Sequence, residues 1–353
     1  MLGLTAHSTE PTRQDGGTVT AFPAIDISFS GDHSRIPGFA RAAEERGVEG
    51  FFVPEAQNDP FISLTLAATS TDRIRLGTGV AIAFARTPMT MAYSAYHLHR
   101  ISGGRAILGL GPQIKPHIAY RYGMPWSHPA ERMREYVLAL RAIWGSWQTG
   151  EPLDFHGEFY KHTLMPPLFS PGPLEAGNPS IWLAAVGPRM VEVAATAADG
   201  LLTHPLISPS YLRDVVLSRI AQCRTDAGKL DEPYTLASMV MVTTGRTEDE
   251  LRAAIAGTRR QIGFYASTPA YEPVLAHHGW SALHDEARSL TKAGRWSELA
   301  DLIDDEILHT FAVVGDVDTV RSGLRDRFGG LVERLTLSLP YRIADEVILD
   351  IAS

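Results

Sequence analysis

The chain has 353 residues, of which 44% are hydrophobic and 20% are charged, and its formal net charge is −8. These values are those of an ordinary soluble protein with a large core. A negative net charge without a long basic run disfavours a nucleic-acid surface, so we expect no nucleic-acid partner.

The single cysteine, Cys223, excludes an intrachain disulfide framework and a multi-cysteine metal site. We interpret it as a packed thiol on a helix, which fits a reducing cytoplasm. No stretch approaches the roughly 18 apolar residues of a membrane span, and residues 1–19 lack the apolar core of a signal peptide. We therefore expect a cytoplasmic protein with no membrane partner and a flexible N-terminal tail at 1–19.

Strand and helix patterns alternate through the first half of the chain. Four strands are predicted at 21–29, 50–54, 73–82 and 105–111, and they are followed respectively by helices at 34–47, 59–71, 88–102 and 129–147. Asp59 before Pro60 is a capping and first-turn signal for the second helix. In the fourth helix, apolar residues recur every three or four positions, which predicts one buried face.

A segment rich in proline and glycine, residues 148–179, interrupts the alternation, and we expect it to cross a surface. Thr247 and Glu250 then form a capping box at the start of a later helix. The remaining predicted strands are 180–187, 201–205, 234–245 and 332–340. The remaining predicted helices are 188–200, 208–227, 247–267, two patterns within 280–308, and 315–330.

Eight strands that alternate with helices indicate parallel pairing, either in an open doubly wound sheet or in a closed barrel. Eight units over about 320 residues favour an α/β fold of the (β/α)8 TIM-barrel type. We expect a single barrel domain over 20–353, with insertions at about 148–179 and 267–310 that form a roof over the barrel mouth.

The fourth predicted strand ends in a Gly-Leu-Gly turn at 109–111. A dinucleotide fingerprint needs three glycines at the first strand–helix junction and an acidic residue about 20 positions later. Here the third glycine is absent, Pro112 lies in the turn, and no helix starts at once. We therefore interpret the turn as a barrel strand end, where Gly111, Gln113 and His117 either face a ligand or are solvated.

The turn after the fifth predicted strand is a candidate anion site. Its small residues Ala185, Val186 and Gly187 open a helix whose first turn contains Pro188. Free backbone N–H groups at a helix start bind anions, and Arg189 adds positive charge. The alternative is an ordinary strand–helix turn.

Further candidate site residues lie in or after other predicted strands. The pair Gly79-Val80 can form a bulge against which a flat ring leans. Glu55 and Asp26 are candidate proton donors or acceptors, or else hydrogen-bonding acids of the barrel. His204, after the sixth strand, either contacts a ligand or is packed or solvated.

Several stretches resemble the luciferase-like monooxygenase superfamily, and more narrowly its coenzyme F420-dependent oxidoreductase branch of actinobacterial type. They are "RLGTGV", "LHRISGGRAILGLGPQIKPH", "YGMPWSHPAERMREYVLALRAIW", "FHGEFY" and "IWLAAVGPRMVEVAATAADGLLTHP", in an order that covers most of residues 20–210. The resemblance implies a (β/α)8 barrel with a deazaflavin, coenzyme F420, or alternatively FMN, in its mouth. It also implies a homodimer.

The resemblance implies roles for the strand-end residues. A non-prolyl cis peptide at Gly79-Val80 would support the central ring of the cofactor. The loop after the fourth strand would flank the ring, and His204 would face its polar edge. The implied cofactor-binding residues are Gly79, Val80, Gly111, Gln113, Ala185, Val186, Gly187, Pro188, Arg189, Met190 and His204.

The candidate catalytic residues are Glu55, His117 and Asp26. Sugar-phosphate dehydrogenases of the superfamily carry Asp-His after the second strand, where this chain has Pro54 and Glu55, which argues against a sugar phosphate handled in the same way. No histidine or carboxylate cluster predicts a metal site.

The function implied is hydride transfer between coenzyme F420 and a small organic substrate. One alternative is an FMN-dependent monooxygenase that uses reduced flavin and oxygen. Another is a barrel that binds a cofactor without catalysis, because fold alone does not establish function. The residues themselves leave the substrate and the direction of transfer open.

Overall fold

The computed structural model describes residues 22–353, so the predicted tail at 1–19 lies outside the described residues. Eight parallel strands form a closed barrel, which confirms the predicted (β/α)8 TIM-barrel fold. The barrel closes because the last strand pairs with both the first and the seventh. The strands are β1 (Ala24–Ser28), β2 (Gly50–Val53), β3 (Arg75–Thr78), β4 (Ala106–Gly111), β5 (Ser180–Ala184), β6 (Gly200–Leu202), β7 (Thr235–Thr243) and β8 (Arg334–Ser338).

Helices surround the barrel. The first five are α1 (Ile36–Glu45), α2 (Pro60–Ala68), α3 (Pro88–Ile101), α4 (Pro129–Thr149) and α5 (Pro188–Ala197). The others are α6 (Ser218–Asp226), α7 (Glu248–Ala266), α8 (Glu272–His277), α9 (Ser281–Lys292), α10 (Asp305–Phe311), α11 (Val317–Phe328) and α12 (Asp345–Ala352). Irregular helical turns at 209–217 precede α6. No helix within residues 22–353 is long and apolar enough to cross a membrane.

Local signals in the sequence account for several helix starts. The Asp59 carboxylate accepts a hydrogen bond of 2.8 Å from the Phe61 N–H at the start of α2. The Thr247 side chain caps α7 through the Glu250 N–H, and the Glu250 carboxylate in return accepts from the Arg246 N–H at 2.7 Å. Side-chain acceptors satisfy N–H groups that a helix start otherwise leaves unpaired.

Three short strand segments were not predicted from the sequence: Phe155–His156, Lys161–His162 and Ala312–Val314. A fourth lies inside the predicted strand at 73–82. Ala81–Ile82 pairs with β4, so the predicted strand at 73–82 is divided near Gly79. Ala312–Val314 pairs with β7, and residues 155–162 form a small antiparallel hairpin. Segments of two or three residues are too short to show an alternating pattern.

A small aromatic and aliphatic cluster fills the barrel interior. The rings of Phe52 and Trp182 stack with centroids 5.9 Å apart, and Ile107, Leu202 and Ala237 pack with them. Gly77 makes room for this arrangement, because a Cβ there would lie 2.1 Å from the Phe52 ring. The cluster provides the floor of the barrel mouth.

The two expected insertions occupy different places. Residues 150–179 connect α4 to β5 along α3, where the Tyr96 hydroxyl donates to the Gly172 carbonyl at 2.8 Å. Residues 267–311 contain α8, α9 and α10 and follow α7. Within the described residues, only the second insertion contributes side chains to the cavity at the mouth, through Ala270 and Tyr271.

Candidate functional site at the barrel mouth

A cavity of about 590 Å³ opens at the carboxyl ends of the barrel strands. In barrels of this type, active sites lie at that end. Nine of the eleven cofactor-binding residues predicted from the sequence line it: Gly79, Val80, Gly111, Gln113, Ala185, Val186, Gly187, Met190 and His204. The other lining residues are Phe52, Ile82, Pro112, Ile114, Trp126, Pro129, Ala184, Leu202, Thr203, Pro205, Met239, Tyr265, Ala270, Tyr271 and Thr336.

Five predicted site residues are absent from the cavity lining: Glu55, His117, Asp26, Pro188 and Arg189. The walls are mostly apolar, and none of the lining residues within 22–353 has a charged side chain. Within the same residues, no three histidine, cysteine, aspartate or glutamate side chains lie close enough together to hold a metal ion.

The segment after β3 carries a cis peptide bond between Gly79 and Val80. Two backbone hydrogen bonds hold it against the β2 end: the Gly79 N–H donates to the Val53 carbonyl at 2.9 Å, and the Glu55 N–H donates to the Val80 carbonyl at 3.1 Å. Gly111 lets Val80 approach, because a Cβ at Gly111 would lie 2.8 Å from the Val80 Cγ2. One face of the cavity is therefore backbone that is held firmly in place.

Glu55 supports this segment from behind the cavity. Its Oε2 accepts from the Ile82 N–H at 2.8 Å and from Arg86 Nη1 at 2.5 Å, and its Oε1 accepts from the Tyr122 hydroxyl at 3.4 Å. Burial alone would lower the pKa of Arg86, but its bond to Glu55 and the attraction between the two charges raise it. The Glu55 carboxylate is therefore engaged in positioning the 80–86 segment.

We expect Glu55→Gln to lower the free energy of unfolding by about 1–3 kcal/mol, because the half-buried Arg86 would lose a charged partner. Urea denaturation measures the loss. Asp59→Asn is the matched control, since Asp59 also binds Arg86 but its side chain is 40% exposed. Equal losses in the two variants would contradict the bracing role of Glu55.

The turn between β5 and α5 offers backbone donors. Gly187 caps α5 without a side-chain hydrogen bond, and Pro188 occupies the first turn. Pro188 has no N–H and the Met190 N–H donates to the Gly187 carbonyl at 3.1 Å, so the donors available to an anion are the N–H groups of Gly187 and Arg189. The side chain of Arg189 is 79% exposed and pairs with Glu131 on the surface. The donors of this turn are thus backbone groups, and the guanidinium lies outside the cavity.

Of the two site residues predicted in the loop after β4, Gln113 lines the cavity and His117 does not. Gln113 lines the cavity in a left-handed conformation with φ 62°, and its Oε1 accepts from the Ile114 N–H at 3.0 Å. His117 begins a helical turn at 117–121 and is exposed, so the structure does not bring it into the cavity.

Asp26 lies inside the barrel, where it is fully buried. Its carboxylate accepts two hydrogen bonds from Arg334, at 3.0 Å from Nε and 2.5 Å from Nη2. Burial raises the pKa of Asp26 to about 6, although Arg334 opposes the shift. The geometry gives Asp26 a structural ion pair and no surface on the cavity.

His204 reaches the cavity from the end of β6. Its ring stacks on Tyr271 with centroids 4.1 Å apart and meets the edge of Tyr265 at 4.4 Å. Burial lowers its pKa to about 3. Sequence reasoning identified His204 but missed Tyr265, Tyr271 and Trp126, because none of these aromatics lies in a strand-end motif.

The comparisons with known proteins agree with this architecture. The family model for luciferase-like monooxygenases matches residues 8–334. The chain belongs to the luciferase-like monooxygenase family. Membership supports an oxidoreductase, as predicted.

Two relatives come from Mycobacterium tuberculosis. An uncharacterised protein is 47% identical over 311 residues, which cover 88% of this chain and 92% of the relative. A protein named "Putative coenzyme F420-dependent oxidoreductase" is 31% identical over 300 residues, covering 79% of this chain and 83% of the relative. The solved structure of the coenzyme F420-dependent tetrahydromethanopterin reductase from Methanopyrus kandleri aligns with a TM-score of 0.77 at 22% identity, covering 94% of this chain and 98% of that one. The structural likeness shows a shared fold.

Proposed function

We propose that this protein is a coenzyme F420-dependent oxidoreductase that transfers a hydride between the deazaflavin and a small organic substrate at the barrel mouth. The observation that supports this proposal most strongly is the cavity itself. It combines apolar walls, the hydrogen-bonded Gly79–Val80 segment and the start of α5 at Gly187, which has no side-chain cap. The M. tuberculosis relative with coenzyme F420 in its name supports the choice of cofactor.

The residues present fit a flat, phosphate-bearing cofactor. Val80 and Gly111 leave a smooth wall for a ring, because Gly111 has no side chain to displace Val80. The N–H groups at the start of α5 suit a phosphate, and a Cβ at Gly187 would meet nothing within 4 Å. When bound, the deazaflavin supplies a two-electron hydride carrier.

The chain's own residues shape the cavity and orient the reactants. Phe52 and Leu202 close the floor of the cavity, and Trp126 and Tyr271 form parts of its sides. Glu55 and Arg86 hold the 80–86 segment in place through the contacts given above. Fixed geometry and a shaped cavity are what a protein contributes when a cofactor supplies the reaction.

A side-by-side titration tests the proposal. Purified protein is titrated with oxidised coenzyme F420 and with FMN, and binding is read from quenching of cofactor fluorescence. We expect tight binding of coenzyme F420 only. Tight binding of FMN only would overturn the proposal in favour of flavin monooxygenase chemistry, with oxygen uptake as the next assay. Binding of neither cofactor would contradict the assignment of the cavity.

A further inference from the structure

The orientation of the His204 ring is fixed by two tyrosines from another part of the chain. Tyr265 lies on α7 and Tyr271 in the turn at 269–271, whereas His204 follows β6. Tyr271 lies nearly parallel to the imidazole, at 19°, and Tyr265 meets it edge-on, at 76°. Two such contacts leave the imidazole little freedom to turn, so its nitrogens point in defined directions.

A backbone contact defines the tautomer of His204. The Leu206 N–H donates to Nδ1 at 3.1 Å. A ring nitrogen that accepts a hydrogen bond carries no proton, so we assign the proton of the neutral ring to Nε2. Nε2 has no hydrogen bond to any other residue within 22–353. A directed N–H donor is therefore available at the cavity wall.

The groups that face His204 keep the donor uncharged. Burial lowers the pKa of the imidazole to about 3, so the ring is neutral at physiological pH. Burial also raises the pKa of Tyr265 and of Tyr271, which keeps both phenols protonated. The cavity lining supplies no acidic or basic side chain within the described part of the chain.

The hydroxyl of Thr203, the preceding residue in the chain, is already engaged. The Thr203 hydroxyl lies 2.8 Å from the Ser238 hydroxyl and accepts from the Met239 N–H at 3.3 Å. The Gln113 amide, the Trp126 indole and the hydroxyls of Tyr265, Tyr271 and Thr336 also line the cavity. The His204 Nε2–H differs from them because two ring contacts fix its direction, so we take it as the donor for an apolar ligand with one acceptor oxygen. With the helix start of α5 taken by the cofactor phosphate, a charged ligand beside His204 would lose its hydration without gaining an ionic partner, which costs far more than burying a carbonyl.

We propose that His204 is a substrate-binding residue whose Nε2–H donates to the oxygen of an uncharged, largely apolar carbonyl compound, with Tyr265 and Tyr271 as positioning residues. A hydrogen bond to the oxygen draws electron density away from the carbonyl carbon, the atom that a hydride attacks. The hydride would come from reduced coenzyme F420, which is oxidised in the step, and the alkoxide so formed would take its proton from solvent water at the open cavity mouth, so that His204 stays neutral throughout. The inference rests on the proposed oxidoreductase function and names its substrate class.

The test uses protein labelled with ¹⁵N-histidine and loaded with oxidised coenzyme F420. Cyclohexanone is the probe, and cyclohexanecarboxylate and methylcyclohexane are the matched charged and apolar controls. We expect cyclohexanone to bind with the same affinity from pH 5 to pH 8 and to shift the His204 Nε2 resonance. The carboxylate should bind at least about tenfold more weakly, because no cation offsets its desolvation.

Variants of His204 and Tyr271 separate hydrogen-bond donation by the His204 ring from its packing against the tyrosines. His204→Phe keeps the ring stack and should weaken cyclohexanone binding about fivefold to tenfold, the usual effect of one hydrogen bond, while binding of methylcyclohexane stays the same. His204→Gln restores an N–H donor and should recover most of the affinity. Tyr271→Leu should move the ¹⁵N shifts toward a mixture of tautomers, a change that a purely structural residue would not cause.

Three results would overturn the inference: a proton on Nδ1, ketone affinity that falls as the pH rises through 6.5, or equal binding of ketone and carboxylate. Failure of the cofactor titration is a separate outcome. If neither cofactor binds, the same ¹⁵N and cyclohexanone measurements on the purified protein still decide the role of His204, because its tautomer and stacking belong to this chain.

Discussion

Replacement of Arg334 by leucine is expected to lower the free energy of unfolding by about 3–5 kcal/mol at pH 8, because it leaves a buried carboxylate without its partner. Asp26 is fully buried and the Arg334 side chain is 15% exposed. Taking two charges into the interior is tolerated only while they neutralise each other. Removing one partner is far more costly than removing both.

The loss should be smaller at pH 5. Burial already raises the pKa of Asp26 from 3.8 to about 6 with Arg334 present, so the folded state binds this proton more tightly than the unfolded state does. The group therefore favours folding below pH 3.8, and that contribution disappears as the pH rises through 6. Without Arg334 the pKa rises further, and at pH 5 the orphaned carboxyl becomes neutral.

Guanidinium chloride unfolding at pH 5 and pH 8 measures both effects. Arg35→Leu is the control, because the Arg35–Asp345 pair is largely exposed and its loss should cost less than about 1 kcal/mol at either pH. If Arg334→Leu lowered the free energy of unfolding equally at the two pH values, the buried ion pair would be contradicted. Asp26 would then again be a candidate proton donor.

The fold was predictable because each barrel unit leaves a strong local signal. A parallel strand buried on both faces gives a continuous apolar run, as in β4, where all six residues are buried. Asp59 and Thr247 mark helix starts through hydrogen bonds to N–H groups only two or three residues away. The strand at 312–314 escaped prediction because it directly continues α10 without a turn signal.

The sequence allowed us to predict only those parts of the candidate site that consist of backbone at the strand ends. Gly111 ends β4, and Gly79 and Gly187 follow the ends of β3 and β5. Strand ends meet at the barrel mouth whatever side chains they carry. The use of a side chain depends on distant partners. The Glu55 carboxylate accepts hydrogen bonds from Ile82 and Arg86, which are 27 and 31 positions away in the chain. No local sequence pattern predicts a contact over that separation.

The partners of His204, which lie on α7 and in the second insertion, were even harder to predict. Tyr265 and Tyr271 fix the His204 ring, yet they are separated from it by 61 and 67 positions (265 − 204 and 271 − 204) and lie in no motif. Their role arises when α7 and the turn at 269–271 fold over the barrel mouth. Residues outside the barrel strands can thus influence which ligands the cavity accepts, while the strand ends supply most of its lining.

Gly187→Asp should separate cofactor binding from stability. Gly187 has the extended backbone of a helix cap, with φ −78° and ψ 157°, and a Cβ there meets nothing within 4 Å. Aspartate is a favoured cap and should stabilise α5 by roughly 0.2–0.5 kcal/mol relative to glycine. Its charge would oppose a bound phosphate by about 4 kcal/mol at a separation of about 4 Å and an effective dielectric constant near 20.

We therefore expect Gly187→Asp to weaken binding of a phosphate-bearing cofactor about 100-fold to 1,000-fold, with a melting temperature at or above that of the wild type. Fluorescence titration at low and high salt measures the affinity, and the loss should shrink with salt because exposed charges are screened. Gly187→Asn is the isosteric control, since it caps the helix without a charge and should bind within about tenfold of the wild type. If the aspartate and asparagine variants bound the cofactor equally, its phosphate would lie elsewhere, and the helix start of α5 would be an ordinary turn between β5 and the helix.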